Sequence, residues 1–106
     1  MIDQETINEA VRRVLDAAPV GSEVILFGSY ARGEGRQDSD LDFLVVEPTL
    51  TSRREEMVRL RQVLRPLGVP ADVLVVSREA FDSWRDAPNN VISHAAREGR
   101  SFTHAA

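Results

Sequence analysis

The chain has 106 residues, 42% of them apolar and 28% charged, which is the balance of a soluble globular domain and argues against disorder. Its net charge of −4 argues against non-specific binding to a nucleic-acid backbone. Cysteine is absent and all 13 basic residues are arginine, so thiolate metal sites, lysine Schiff bases and lysine-ended phosphate loops are excluded. The length fits one domain over residues 1–106. No apolar run reaches the ~20 residues of a bilayer span and no secretory signal is visible, so a cytoplasmic location is expected.

Ile7, Ala10, Val11, Val14, Leu15 and Ala18 fall at helical spacing, with Asp3 as a candidate N-cap and Pro19 and Gly21 as the stop. Val24 to Phe27 is a short continuous apolar run, as expected of a strand buried on both faces. A polar, glycine-containing segment over residues 28–39 leads to a second predicted strand, Asp40 to Val46. Its faces are Asp40, Asp42, Leu44, Val46 and Leu41, Phe43, Val45. Ser52 with Glu55 forms a capping-box pattern for a helix carrying Met57, Leu60, Leu64 and Leu67. Ala71 to Val76 reads as a third strand with Asp72, Leu74 and Val76 on one face. Ser77 is placed to cap a short helix with Phe81 and Trp84. Pro88 suits the first turn of a last helix, and Gly99 its C′ position. Ser101 to Thr103 adds a candidate edge strand. This order predicts an α/β (α+β) domain: a small mixed sheet flanked by helices.

The chemistry concentrates between Gly28 and Asp42. Glycine lets backbone approach a ligand, N–H groups opening a short helix can hold a phosphate, and Ser29 adds a hydroxyl. Asp40 and Asp42 project from one strand face about 6.8 Å apart along the chain. Two like charges opening a buried strand repel and lose hydration unless a cation lies between them, and Mg²⁺ suits carboxylates that work with phosphates. The alternative is a strand that begins at Leu41 behind two solvated turn aspartates. Asp72 repeats the pattern, and on a neighbouring strand it brings a third carboxylate for a two-metal arrangement. Arg32 and Arg36 could neutralise phosphate, although pairing with acids such as Glu34 or Asp38 is the plainer reading for Arg36.

Gly28-Ser29, ten residues, then Asp40-Leu41-Asp42, with Ala31-Arg32-Gly33 and Ser39 inside the spacer, resembles the DNA polymerase beta nucleotidyltransferase superfamily. The spacer resembles that of its minimal nucleotidyltransferases, many of which are antitoxin partners of HEPN-domain ribonuclease toxins. The resemblance implies a polymerase-beta-like palm in which Gly28 and Ser29 hold the β- and γ-phosphates of ATP. It also implies two Mg²⁺ ions on Asp40, Asp42 and Asp72, with Asp72 helping to deprotonate the acceptor hydroxyl. Arg32 and Ser39 match motif positions; Ser39 is expected near the phosphates, and Arg32 is expected to be structural or phosphate-proximal. Larger relatives build their acceptor pocket with an extra helical domain. The length of this chain leaves no residues for one, so the acceptor surface is expected from another molecule, either a second copy or a docked protein substrate. The implied reaction is transfer of AMP from ATP to a hydroxyl of a partner protein, with a HEPN-type toxin as the expected partner.

Two other readings differ in class: a binding module that neutralises a toxin without catalysis, and a small-molecule nucleotidyltransferase. The Asp-Leu-Asp-Phe run also resembles the nucleophile loop of haloacid-dehalogenase-like phosphatases, but that family uses a later lysine, which this chain lacks. His94 and His104 have no partner at ligand spacing and are expected to be structural. Tyr30 and Trp84 could stack on a base, although core packing or partner contact is the plainer expectation for Trp84.

Overall fold

A computed structural model of the chain describes residues 2–35 and 39–104. Asp3 caps the first helix, α1 (Gln4–Ala17), by accepting a hydrogen bond from the Thr6 N–H at 2.8 Å. Two short strands follow, β1 (Glu23–Phe27) and β2 (Leu41–Glu47), and pair antiparallel. The second helix, α2 (Arg53–Gln62), starts at the Ser52 cap and is followed by a 3₁₀ turn over Arg65–Leu67. It carries the chain back to β3 (Ala71–Ser77), which lies parallel to β2. Two helices, α3 (Arg78–Trp84) and α4 (Val91–Glu98), precede the edge strand β4 (Arg100–Thr103), which pairs antiparallel with β1. The order β3-β2-β1-β4 makes a four-stranded mixed sheet. Among the described residues no helix is long and apolar enough to cross a membrane.

Strand alternation sorts the sheet into two apolar faces. Val24, Leu26, Leu41, Phe43, Val45, Val73 and Val75 pack with α1 and with Leu60 and Leu64 at the α2 end of the crossover. Ile25, Leu44, Val46 and Val76 pack with Phe81 of α3 and Ala95 of α4. Helices therefore cover both faces, and each fully buried Val or Leu contributes about 1.5–3 kcal/mol.

Local expectations fail in three places. Pro88 lies outside α4, whose cap is Asn90, accepting from the Ser93 N–H at 2.9 Å. Asn89 turns the chain into that cap with φ 62°. Gly99 caps α4 in extended backbone, φ −80°, not in a left-handed turn. What requires glycine there is space, because a Cβ would press on Ile25 and lie 2.5 Å from the Ala95 carbonyl oxygen. Tyr30 is 5% exposed and accepts the Ile2 N–H at 3.0 Å on its hydroxyl, so it locks the loop after β1 to the N-terminus and offers no open face to a base. Of the two plainer expectations for Trp84, its 54% exposure rules out core packing and leaves partner contact.

At the far end of β2 Glu47 is buried beside Glu56, which Arg59 grips through two hydrogen bonds of 2.8 and 2.7 Å. Burial pushes the Glu47 carboxyl up to about 8; the Glu56 carboxylate adds to the shift and Arg59 opposes it. Glu56 is held down at about 2 by its hydrogen bonds with Arg59 first and Glu47 second. Unfolded Glu47 loses its proton near 4.5 and folded Glu47 near 8, so stability falls as pH rises between those values. Glu56 acts on the acid side: the stability it contributes is lost as pH falls from 4.5 towards about 2. Glu47→Gln keeps a neutral N–H donor towards Glu56 and removes the titration. Urea unfolding across the Glu47 window is expected to show a declining midpoint for the wild-type chain and a flat one for Glu47→Gln. A parallel decline in both would assign the slope to other groups.

Candidate active site

The sheet brings the motif residues to one edge of its α3/α4 face. Phe27, Asp42 and Asp72 form one row, because Phe27 pairs with Asp42 across the antiparallel ladder and Asp42 with Asp72 across the parallel one. Adjacent strands run about 4.8 Å apart, so the two aspartates stand side by side on the face that carries Leu44, Leu74, Val46 and Val76 deeper in. A slip of one residue would turn one carboxylate into the apolar layer beneath α1 and α2, so the alternation that builds the core also fixes this pairing.

Gly28 begins the turn that leaves β1. Its φ of +80° favours glycine, and a Cβ there would lie 2.5 Å from Oδ2 of Asp42. Backbone and carboxylate thus meet without a side chain between them. Residues 29–33 form consecutive turns, and no helix starts among the described residues of this segment, unlike the short helix the glycine-serine pair suggests. The Gly28 carbonyl accepts from the Arg32 N–H at 3.3 Å, and the Ser29 carbonyl from the Glu34 N–H at 2.8 Å. Ser29 is half-buried at the start of this turn, with its hydroxyl unpartnered among the described residues.

Asp40 lies one residue before β2 and is exposed, so the strand starts at Leu41. Partly buried Ser39 precedes it. Arg36 and Asp38 fall outside the described residues. Arg32 engages two acids, Glu98 of α4 through Nη1 at 3.1 Å and Glu34 through Nε at 3.6 Å. It ties the turn to the end of α4, and its contact with Glu34 is the pairing with a nearby acid that the sequence allows. Asp72 is 63% exposed and reaches Nη2 of Arg61 at 3.5 Å. Neither Glu98 nor Arg61 stands out in the sequence, because each partner is distant along the chain and has no spacing signature.

Burial raises the Asp42 carboxyl above its ordinary value, and the negative charges of Asp72 and then Asp40 add to the shift. The pair therefore favours a proton or a cation. Among the described residues no three acidic or histidine side chains are gathered closely enough to hold a metal ion, and Asp72 contacts Arg61. The donor set nevertheless suits Mg²⁺: the ligands are carboxylate oxygens, Asp42 and Asp72 share one face, and exposed Asp72 has room to turn.

Gly28→Ala is expected to cost about 2–4 kcal/mol in urea unfolding, from the left-handed backbone and the clash with Asp42. In an Asp42→Ala background the clash is relieved, and the cost is expected to fall to about 1–2 kcal/mol. An unchanged cost would show that the carboxylate does not set the requirement. Because the folded carboxyl holds its proton more tightly than the unfolded one, ionised Asp42 lowers stability as pH rises through its folded value. Asp42→Asn is therefore expected to raise the metal-free unfolding midpoint at neutral pH.

Comparison with known proteins agrees with this architecture. The nucleotidyltransferase domain family model matches residues 7–96. A solved structure assigned as a minimal nucleotidyltransferase is 34% identical, covering 93% of this chain and 95% of that one with a TM-score of 0.64. A mutant MntA–HpeT toxin–antitoxin structure is 15% identical, covering 97% of this chain and 75% of that one at a TM-score of 0.61. A toxin–antitoxin structure with AMP-PNP is 21% identical with the same coverage, at a TM-score of 0.54. These two bear on the fold alone. A search of curated proteins returns no match. With the match spanning most of its length, the chain belongs to the nucleotidyltransferase domain family.

Proposed function

We propose that this nucleotidyltransferase transfers AMP from ATP to a hydroxyl of a partner protein, and that the partner is the toxin of a HEPN-type toxin–antitoxin pair. The observation that carries the reading is the row in which the Gly28 backbone, Asp42 and Asp72 meet at one end of the sheet. Gly28 and Ser29 would receive the β- and γ-phosphates on backbone and hydroxyl. Ser39 precedes Asp40 in the motif, and Arg32, three residues after Ser29, would exchange Glu34 for phosphate. Asp40, Asp42 and Asp72 would hold Mg²⁺, two ions in this reading, and bound Mg²⁺ would neutralise the triphosphate and polarise the α-phosphoryl group.

The acceptor oxygen bonds to the α-phosphorus, the α–β phosphoanhydride bond breaks and pyrophosphate leaves. Asp72, the more exposed carboxylate of the pair, is placed to take the hydroxyl proton. The chain's own contribution is alignment and charge placement. ATP as donor is supported by the AMP-PNP held in a structural neighbour, and a toxin as acceptor by the toxin–antitoxin assemblies among those neighbours.

The test adds α- or γ-labelled ATP, with Mg²⁺, to the purified chain in a lysate of the source organism. The α label is expected on a protein band and the γ label in pyrophosphate. Chelating the metal should abolish transfer, and Asp42→Asn should reduce it at least about a hundredfold. Label on the band that survives Asp42→Ala would remove Asp42 from the metal role. Transfer of neither label, with a toxin still neutralised by the chain, would favour a docking module without catalysis.

A further inference from the structure

Most charged side chains of the protein are matched. Arg12, Arg13, Arg32, Arg59, Arg61 and Arg78 pair with carboxylates. Arg53 donates to the Val75 carbonyl at 2.8 Å, and Arg85 stacks 4.9 Å from the Phe81 ring centre. Arg54, Arg65, Arg97 and Arg100 differ: all four are exposed, and none has an ion pair or hydrogen-bonded guanidinium among the described residues, but Arg54 and Arg65 stand together along α2 and the 3₁₀ turn after it. With Val58 and Arg61 they follow steps of four, three and four residues, which places all four on one side of α2 and its 3₁₀ extension.

Val58 is 50% exposed in the middle of this stripe, an apolar side chain left open among cations. Grooves of about 410 and about 200 Å³ flank it, the first bounded by Arg54 and Arg61 and the second by Arg61 and Arg65. The stripe touches the candidate site at Arg61, whose guanidinium reaches Asp72. From Arg54 to Arg65 it spans about 16 Å, the length of about five extended residues. A positive stripe on a chain of net charge −4 can guide one kind of partner to one place.

We propose that this face of α2 docks an acidic segment of the acceptor protein, with its carboxylates on Arg54 and Arg65, an apolar residue on Val58 and its hydroxyl delivered beside Asp72. The position of the hydroxyl rests on the transfer reaction proposed above, whereas the docking does not. A protein segment fits better than a nucleic-acid backbone, because the two unpaired cations of this stripe are separated by an apolar side chain and the chain as a whole is net negative.

The probe is a fluorescent glutamate–tyrosine copolymer, read by anisotropy against a lysine–tyrosine copolymer and a single-stranded RNA oligonucleotide. The acidic copolymer is expected to bind, more weakly as salt rises, and roughly tenfold more weakly to R54E/R65E. R54Q/R65Q should lose less, and it remains informative if the charge reversal lowers the unfolding midpoint. Equal binding to wild type and both variants overturns the proposal. So does RNA binding that exceeds copolymer binding and disappears in R54E/R65E, which would make the stripe a nucleic-acid surface. Binding through the stripe without transfer of α label to the copolymer supports docking and counts against the transfer reaction. Undiminished labelling of the lysate acceptor by R54E/R65E rejects the docking surface and leaves the transfer reaction standing.

Discussion

The pairing of Asp42 with Asp72 across two parallel strands is the constraint on which the rest of the molecule depends. Two carboxylates on neighbouring strands, one of them partly buried, are unfavourable unless something positive joins them. The fold tolerates the arrangement only at the end of the sheet, where Asp72 reaches solvent and Arg61 supplies a distant counter-charge. Further along β2 the same face carries Leu44 and Val46, which are wholly enclosed, and a second charge there would have no such outlet. The cost at the edge appears as the raised affinity of Asp42 for a proton.

The helices follow from the need to hold that register. A parallel pair requires a crossover, and α2 provides it while burying Leu60 against the sheet face opposite the aspartates. The exposed side of the same helix is then carried past Asp72, so one element sets the strand pairing and presents the arginine stripe. On the other face Phe81 and Ala95 cover Leu44 and Val46. Glu98 at the end of α4 anchors Arg32, which connects the packing of the last helix to the turn that follows Gly28.

The fold was legible wherever a local rule coincided with burial. Asp3, Ser52 and Ser77 cap helices as their positions indicate, and apolar alternation places three strands to within a residue at either end. Sequence rules failed where space decided the outcome. Gly99 is required by Ile25 and the α4 backbone, Tyr30 is buried by its link to Ile2, and α4 opens at the Asn90 cap with Pro88 outside its first turn. For the site, the parallel patterns beginning at Asp42 and Asp72 anticipated that their strands could be neighbours. Nothing local indicated that Arg32 would be held by Glu98, or that Asp72 would face Arg61.

Those two ion pairs give the candidate site a common logic. Each carries a group wanted for phosphate chemistry, and each engages it with an opposite charge that is about half exposed. Contacts of this kind are worth about 1 kcal/mol or less, far below what a cation between two carboxylates or a triphosphate beside a guanidinium would offer. They keep the charges solvated and compensated without locking them. A buried pair in the same places would have to be broken at the cost of an unpaired charge, whereas these can exchange partners. The part of the site that does not exchange is covalent and steric: a glycine at φ +80° against Asp42, with two aspartates held in register by the core beneath them.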